Sequence, residues 1–210
     1  MITLVATGTC TINASQGGNS TFAAASTVSQ SFTVTAVGYA IGVTGPGGGI
    51  VFYDAGPGQS WGRYLEAAPS GWNIGADPGL QWKINFVNCE GEVVYITGAV
   101  GTAIGTGRAN TTAITVACTA EIARAAWAAR AYSPVVSGVT INDWFLPSKD
   151  ELNQLFTQKD VVGGFPAASY WSSSQSVGTS NFAWRQGFSS GITDEMEKGR
   201  GWSVRPVRAF

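Results

Sequence analysis

The residues that could carry chemistry are three cysteines and a few paired carboxylates, because the 210-residue chain contains no histidine. Histidine is the commonest general base and transition-metal ligand, so its absence removes the usual acid–base and zinc sites. None of Cys10, Cys89 and Cys118 forms a Cys-x-x-Cys pair, which argues against a zinc or thioredoxin-like site. Two interpretations of Cys89 and Cys118 stay open: a disulfide suited to an extracellular setting, or two buried free thiols.

The paired carboxylates have structural explanations. In "SKDELNQLF", Ser148 and Glu151 have the spacing of a capping box and Asp150 suits the positive end of a helix dipole. Apolar residues follow at i, i+3 and i+4, which predicts a helix with one buried face. The segment "DEMEK" at 194–198 is predicted to be a solvated loop. We therefore expect neither an enzyme nor a cofactor.

Composition narrows the class of protein further. Charged residues make up 12% of the chain, about half the usual fraction, while glycine occurs 28 times and tryptophan 8 times. This balance favours short strands joined by long ordered loops. The net charge is −1 and no basic cluster occurs, so we expect no nucleic-acid partner. No run of about 18 apolar residues exists, so we expect no membrane insertion.

The chain is predicted to contain short strands and two helices. "TCTINAS" and "SQSFTVTAV", in the uncharged segment 1–53, alternate like half-buried strands around a turn. "GVTGPGGG" at 42–49 leads into an apolar strand, which favours a linker and turn over a phosphate-binding loop. "TAEIARAAWAARAY" at 119–132 predicts a helix. Its core-facing residues would be Ile122, Ala126, Ala129 and Trp127.

The C-terminal segments complete the predicted fold class. "SYWSSSQ", "FAWRQGF" and "GWSVRPVRAF" have the form of strands joined by Gly- and Ser-rich loops. An antiparallel sheet with helices on one side is the simplest arrangement, which makes the class α+β. Trp171 and Trp184 are expected in the core, and Arg205 and Arg208 are expected to bind acidic partners such as Asp143 or Glu151.

Several motifs together resemble a known family. "GGGIVFYDAG", "YLEAAPSGW", "GTAIGTGRANT", "DWFLPSKDELNQLF", "YWSSSQ", "AWRQGF" and "VRPVRAF" occur in that order. They resemble the C-type-lectin-like domain related to formylglycine-generating enzymes, and further the variable proteins of diversity-generating retroelements, which include phage tropism determinants. The resemblance implies a C-type-lectin-like domain at 39–210 with a variable region at 170–210. Residues 1–38 resemble the end of an immunoglobulin-like repeat.

The resemblance also implies a binding surface. In such proteins a constant frame holds the fold and diversified side chains between the frame residues contact the ligand. The implied ligand-binding positions are Ser176, Val177, Thr179, Asn181, Arg185, Gly187, Ser189, Ile192, Asp194, Glu195, Met196, Arg200 and Trp202. Adenine-directed variation of Asn or Tyr codons does not readily produce Glu195, Met196 or Trp202. Either the template fixes these positions, or this copy is a lectin-like relative without an active retroelement.

Other activities of the superfamily lack their residues here. Formylglycine-generating enzymes use a cysteine pair in the C-terminal part of the domain, and this chain has no cysteine after Cys118. Calcium-dependent sugar-binding lectins use Glu-Pro-Asn or Gln-Pro-Asp with Trp-Asn-Asp, and neither motif occurs. We therefore expect no metal site for sugar binding.

Two functions remain after these exclusions. The first is non-catalytic recognition of a protein or glycan on a host or neighbouring cell, by a module at a virion or cell surface. Such a module could be a homo-oligomer, and a trimer if it belongs to a fibre. The alternative is a structural module of a fibre or surface protein without a diversified site. A binding module should expose Arg185, Met196 and Trp202 together on one face, whereas a structural module should bury or scatter them.

Overall fold

The computed structural model describes residues 8–35, 38–83, 95–119 and 121–210. The chain divides into two compact units, Met1–Gly38 and Tyr39–Phe210. The described part of the first unit is an antiparallel ribbon of β1 (Gly8–Ala14) and β2 (Val28–Val34), whose seven residue pairs show no shift in register.

The ribbon confirms the two predicted strands but not their half-burial. Pairing places Thr11 opposite Ser31, whose hydroxyls are 2.7 Å apart, and Ser29 donates to Asn13 on the same face. The opposite face carries Ile12 and Phe32, which are also exposed. Two strands alone have no second layer to bury a face, so the alternating pattern correctly predicted the strands and overestimated their burial.

The second unit combines small sheets with short helices, which confirms the α+β class. Its strands are β3 (Ile50–Asp54), β4 (Tyr64–Ala67), β5 (Gly79–Gln81), β6 (Val135–Val136), β7 (Val139–Thr140), β8 (Ser169–Gln175), β9 (Phe182–Gly187), β10 (Thr193–Glu197), β11 (Gly201–Ser203) and β12 (Val207–Ala209). Its helices are a 3-10 turn at Thr97–Ala99, α1 (Gly107–Ala117), α2 (Arg124–Ala131), α3 (Lys149–Thr157) and α4 (Lys159–Val162). Five strands form the main sheet in the order β10-β9-β8-β11-β5, and β12-β4-β3 form a second sheet.

The main sheet lies between two apolar clusters. Successive residues of a strand point to opposite faces, so Tyr170 and Trp171 of β8 enter different clusters and both are fully buried. Trp171 packs with Trp82 and the alanines of α2, as predicted for this tryptophan. Tyr170 packs with the apolar face of α3, including Leu152. Helices therefore pack on both faces of the main sheet, so the predicted arrangement with helices on one side is wrong, and the pair β8–β11 is parallel rather than antiparallel.

Helix α3 begins where its capping box predicts. The Ser148 hydroxyl accepts the Glu151 backbone N–H at 3.3 Å, and the Glu151 carboxylate accepts the Ser148 N–H at 2.7 Å. Glu151 is fully buried and also accepts the Gly105 N–H at 2.8 Å. Burial raises the pKa of Glu151, and these backbone donors oppose that rise. Gly107 leaves room for the carboxylate, because a Cβ there would lie 2.2 Å from Oε2.

The other helical prediction is partly wrong. The helix expected at 119–132 begins only at Arg124, because the backbone of Ala123 is not helical, with φ −101° and ψ 62°. Its predicted core residues Ala126 and Ala129 are fully buried. Ile122 and Trp127 pack partly buried against the same cluster.

Helix α1 was not predicted, because its sequence "GRANTTAITVA" is rich in residues of low helix propensity. Tertiary contacts compensate for that propensity. The buried Thr111 hydroxyl donates to the Leu146 carbonyl at 3.2 Å and accepts the Leu146 N–H at 3.1 Å. Asn110, also buried, donates to the Gly101 carbonyl at 2.6 Å and accepts the Gly101 N–H. Side chains that are poor helix formers therefore fix the helix to the core.

Candidate functional site

The serine run of "YWSSSQ" anchors the sheet that carries the predicted surface. Ser172, Ser173 and Ser174 are fully buried. Their hydroxyls donate to the carbonyls of Trp184 at 2.9 Å, Pro147 at 3.2 Å and Gly101 at 2.6 Å, respectively. These residues hold strand β8 against its surroundings and are not available to a ligand.

The last strands are tied down by buried arginines. Arg205 makes two hydrogen bonds of 2.7 Å to the Asp77 carboxylate, and both side chains are completely buried. The same carboxylate accepts the Trp72 indole N–H at 2.9 Å and the Tyr170 hydroxyl. Burial, with Asp77 as the hydroxyl's acceptor, raises the pKa of Tyr170.

The predicted acidic partners were correct for Arg208 and wrong for Arg205. Arg208 binds Asp143 as expected, and it also contacts Glu66 at 2.8 Å. Arg205 binds Asp77 and neither predicted partner. Glu151 takes part in the cap of α3, and Asp143 binds Arg208.

Arg185 lies at the centre of the predicted surface. Its guanidinium carbon lies 4.9 Å from the centre of the Trp202 ring, and its Nε and Nη2 lie 2.9 and 3.0 Å from the Asp194 carboxylate. The Ser169 hydroxyl accepts a further hydrogen bond from Arg185. Register explains the grouping, since Arg185 pairs with Asp194 on one side and Trp171 on the other. The side chains of Arg185 and Trp184 point to opposite faces of the sheet, as strand alternation predicted.

Trp202 and Met196 extend this group. Both are half-buried and pack against the cluster that contains Trp171. The Trp202 indole N–H is buried and has no acceptor among the described residues. Only 16% of the Arg185 side chain is exposed. Arg185, Met196 and Trp202 thus share one face, but all three are half-buried there, so the joint exposure expected of a binding module is met only in part.

The more exposed positions lie in the turns. Val177 and Thr179 are exposed in the β8–β9 turn, with Asn181 half-buried beside them. Arg200 follows β10 at the same end of the sheet, where Glu197 pairs with Phe182. Ser189 and Ile192 are exposed in the β9–β10 turn at the opposite end. The structure therefore brings the predicted positions to one sheet and distributes them over its centre and both ends. Glu195 pairs with Trp184 and so lies on the face opposite Arg185.

Ser176 and Gly187 were predicted to lie on the surface, but both are buried. The Ser176 hydroxyl accepts the backbone N–H of Thr179 at 3.0 Å and donates to Glu195 at 2.9 Å, so it supports the turn. A Cβ on Gly187 would lie 2.6 Å from the Ser190 hydroxyl. We call the remaining predicted positions the display surface: Val177, Thr179, Asn181, Arg185, Ser189, Ile192, Asp194, Glu195, Met196, Arg200 and Trp202.

Two further expectations on this sheet were wrong. Residues 194–198 do not form a solvated loop, because Thr193–Glu197 is the edge strand β10. Lys198 is fully buried, and burial lowers its pKa to about 7. Trp184 is half-buried rather than in the core, with the Lys149 amine 5.0 Å from its ring centre.

Sequence reasoning missed Ser169 as a neighbour of Arg185. Ser169 and Trp171 are two residues apart on β8 and therefore share a face, so strict alternation could have identified it.

The cysteines and possible metal ligands were also located. Cys118 is disulfide-bonded and Cys10 is a free thiol, while Cys89, the predicted partner of Cys118, lies outside the described residues. In the described ranges, no group of three or more His, Cys, Asp and Glu side chains could hold a metal ion. No helix of the described ranges has the length and apolar character needed to cross a membrane.

Comparison with known proteins assigns the family. Residues 76–208 match the model of the family described as the Lcl C-terminal domain. A search of the curated proteins finds no match. The match confirms the resemblance inferred from the sequence motifs, and it supports a ligand-binding module in general rather than a known catalytic family. Because it spans more than half of the 210 residues, the chain belongs to the Lcl C-terminal domain family.

Proposed function

We propose that the chain is a non-catalytic recognition module with a C-type-lectin-like fold, whose display surface binds a protein or glycan on another cell. The observation that carries the proposal is the grouping of Arg185, Met196 and Trp202 on one face of the anchored sheet. Arginine and tryptophan are the side chains most enriched at binding hot spots. A rigid frame lowers the ordering cost of binding, so specificity can depend on the displayed side chains.

The frame and the display surface differ in how they are held. Ser172 and Arg205 have their polar groups satisfied inside the protein. Val177 is 74% exposed, and the Arg200 side chain is 65% exposed. A substitution at an exposed turn position leaves the buried hydrogen bonds intact, which is what a diversified surface requires. We infer that this chain is a variable protein of a diversity-generating retroelement, located at a virion or cell surface.

One observation favours the structural alternative. Arg185 is bound to both Asp194 and Ser169 and is mostly buried, so part of the central group contributes to the sheet's own stability. A module without a ligand would need Arg185 only for this role. The two functions therefore differ in whether Trp202 and the exposed turns contact anything outside the chain.

Binding of the full chain to intact cells and to a printed glycan array tests the proposal. We expect fluorescently labelled chain to bind at least one of a panel of bacterial cells or glycans. The substitution Trp202→Ala should weaken that binding by roughly 30-fold or more, since hot-spot truncations cost about 2 kcal/mol. The control Arg124→Ala removes an exposed arginine outside the display surface and should leave binding unchanged. Equal binding by the Trp202 variant and the wild type, or no binding to any surface, would favour the structural module.

A further inference from the structure

A groove of about 940 Å³ lies along the exposed side of α1. Its walls include Trp61, Gly105, Arg108, Thr112, Val116 and Asp143, none of which belongs to the display surface. The volume falls within the range of sites for small ligands. Two glycines of its wall allow close packing, since a Cβ on Gly105 would lie 2.2 Å from the Trp61 ring and one on Gly98 would lie 2.7 Å from the Ala113 methyl group.

The charges around the groove are unequal. The Arg108 guanidinium lies 3.3 Å from one oxygen of the Asp143 carboxylate, and Arg208 binds the other oxygen. An adjoining depression of about 220 Å³ is lined by Arg108, Asp143 and also Arg130, which donates to the neutral Thr115 hydroxyl at 2.6 Å.

Arg208 binds both Asp143 and the buried Glu66, so two of these three guanidinium groups, those of Arg108 and Arg208, share the two carboxylates. Arg108 shares its carboxylate, Asp143, with Arg208. Its side chain is 45% exposed, and its hydrogen bonds to Asp143 and to the Ala209 carbonyl are both long at 3.3 Å. Its guanidinium carbon also lies 5.3 Å from the centre of the Phe145 ring. A half-exposed guanidinium whose present hydrogen bonds are long can donate to a further anion and lose little by giving those bonds up.

We propose that this groove binds a small carboxylate carried on a ring. The planar fork of Arg108 matches a carboxylate through two parallel hydrogen bonds. Trp61 supplies an aromatic side chain for a ring, and Ser60 is a polar residue in the lining. The ring can be aromatic or a sugar, since both pack on an indole. This site is independent of the proposed function, because it shares no residue with the display surface.

Tryptophan indole N–H signals in a two-dimensional NMR spectrum of the full chain test this site. The Trp61 signal is identified by its loss in Trp61→Phe. Sodium benzoate and sodium glucuronate are the two probes, and benzamide is the uncharged control. We expect at least one carboxylate to shift the Trp61 signal with saturation and benzamide to leave it in place. A shift with benzoate alone would indicate that the groove binds aromatic acids, and a shift with glucuronate alone would indicate that it binds sugar acids.

Variants locate the anion contact. Arg108→Met should weaken the response roughly tenfold or more, as expected for losing a charge-assisted pair. Arg124→Met, a matched change at an exposed arginine outside the groove, should leave the response unchanged. The proposal is overturned if neither carboxylate shifts the Trp61 signal in the millimolar range, if benzamide acts equally, or if Arg108→Met responds like the wild type. Such a failure leaves the display surface untouched, since that surface is tested through Trp202.

Discussion

The ion pair between Arg205 and Asp77 should be a main support of the frame, and Arg205→Met tests this directly. Both side chains are completely buried, and the substitution removes two hydrogen bonds of 2.7 Å from the Asp77 carboxylate. Trp72 and Tyr170 remain as its donors, which is too few for a buried charge. Removing one partner of a buried pair costs about 3–5 kcal/mol, so we expect the free energy of unfolding to fall by that amount.

Thermal unfolding of the full chain followed by circular dichroism measures this effect. For a unit of this size, about 2–4 °C is lost per kcal/mol, so the melting temperature should fall by roughly 6–20 °C. The double variant Arg205→Met with Asp77→Asn should recover part of the loss, because the uncompensated carboxylate is then gone. The control Arg63→Met breaks the solvent-exposed pair with Asp54 and should change the melting temperature little.

Two results would refute this reasoning. One is a loss below about 1 kcal/mol for Arg205→Met, which would mean that water or a rearranged donor satisfies Asp77. The other is a double variant whose loss equals the sum of the two single losses, which would mean that the pair is not coupled.

Three further changes test the local structure, each by the free energy of unfolding in urea. Ser148→Ala removes the acceptor for the Glu151 N–H and should lower the free energy of unfolding by about 1 kcal/mol. An unchanged urea midpoint would mean that the cap does not stabilise the fold. Gly107→Ala places a Cβ 2.2 Å from the Glu151 carboxylate and should cost about 1–3 kcal/mol; a neutral result would mean that the carboxylate moves freely. Thr111→Val keeps the shape but leaves both polar groups of Leu146 without partners, and should cost about 1–3 kcal/mol; Thr112→Val, at an exposed position on the same helix, is the control and should cost clearly less.

The fold could be predicted from the sequence where the signal is local. Ser148 and Glu151 are three residues apart, so the start of α3 needed no tertiary information. Helix α1 could not be predicted in this way, because Thr111 is held by Leu146, 35 residues away. The partner of Arg205 lies 128 residues away at Asp77, and no local pattern specifies such a pair.

The sequence indicated which segments carry the display surface, but not how deeply each of their residues is buried. Alternation in β9 correctly separated Arg185 from Trp184, because side chains of a strand point to alternate faces. The sequence gives no measure of burial for a small polar residue in a turn, so Ser176 was included although it lies inside. The edge strand β10 was read as a loop, since its acidic residues look solvated, yet charged side chains are common on edge strands.

The central claim is that a fixed frame carries a varied surface, and the DNA flanking the gene tests it most directly. We predict a near-copy of the codons for residues 170–210 beside a reverse transcriptase gene, differing mainly at adenines. The differences should fall in codons of the display surface, such as those for Val177, Thr179 and Ile192, and spare those for Ser172 and Arg205. Absence of such a copy, or differences concentrated in the codons of the buried frame, would contradict the claim.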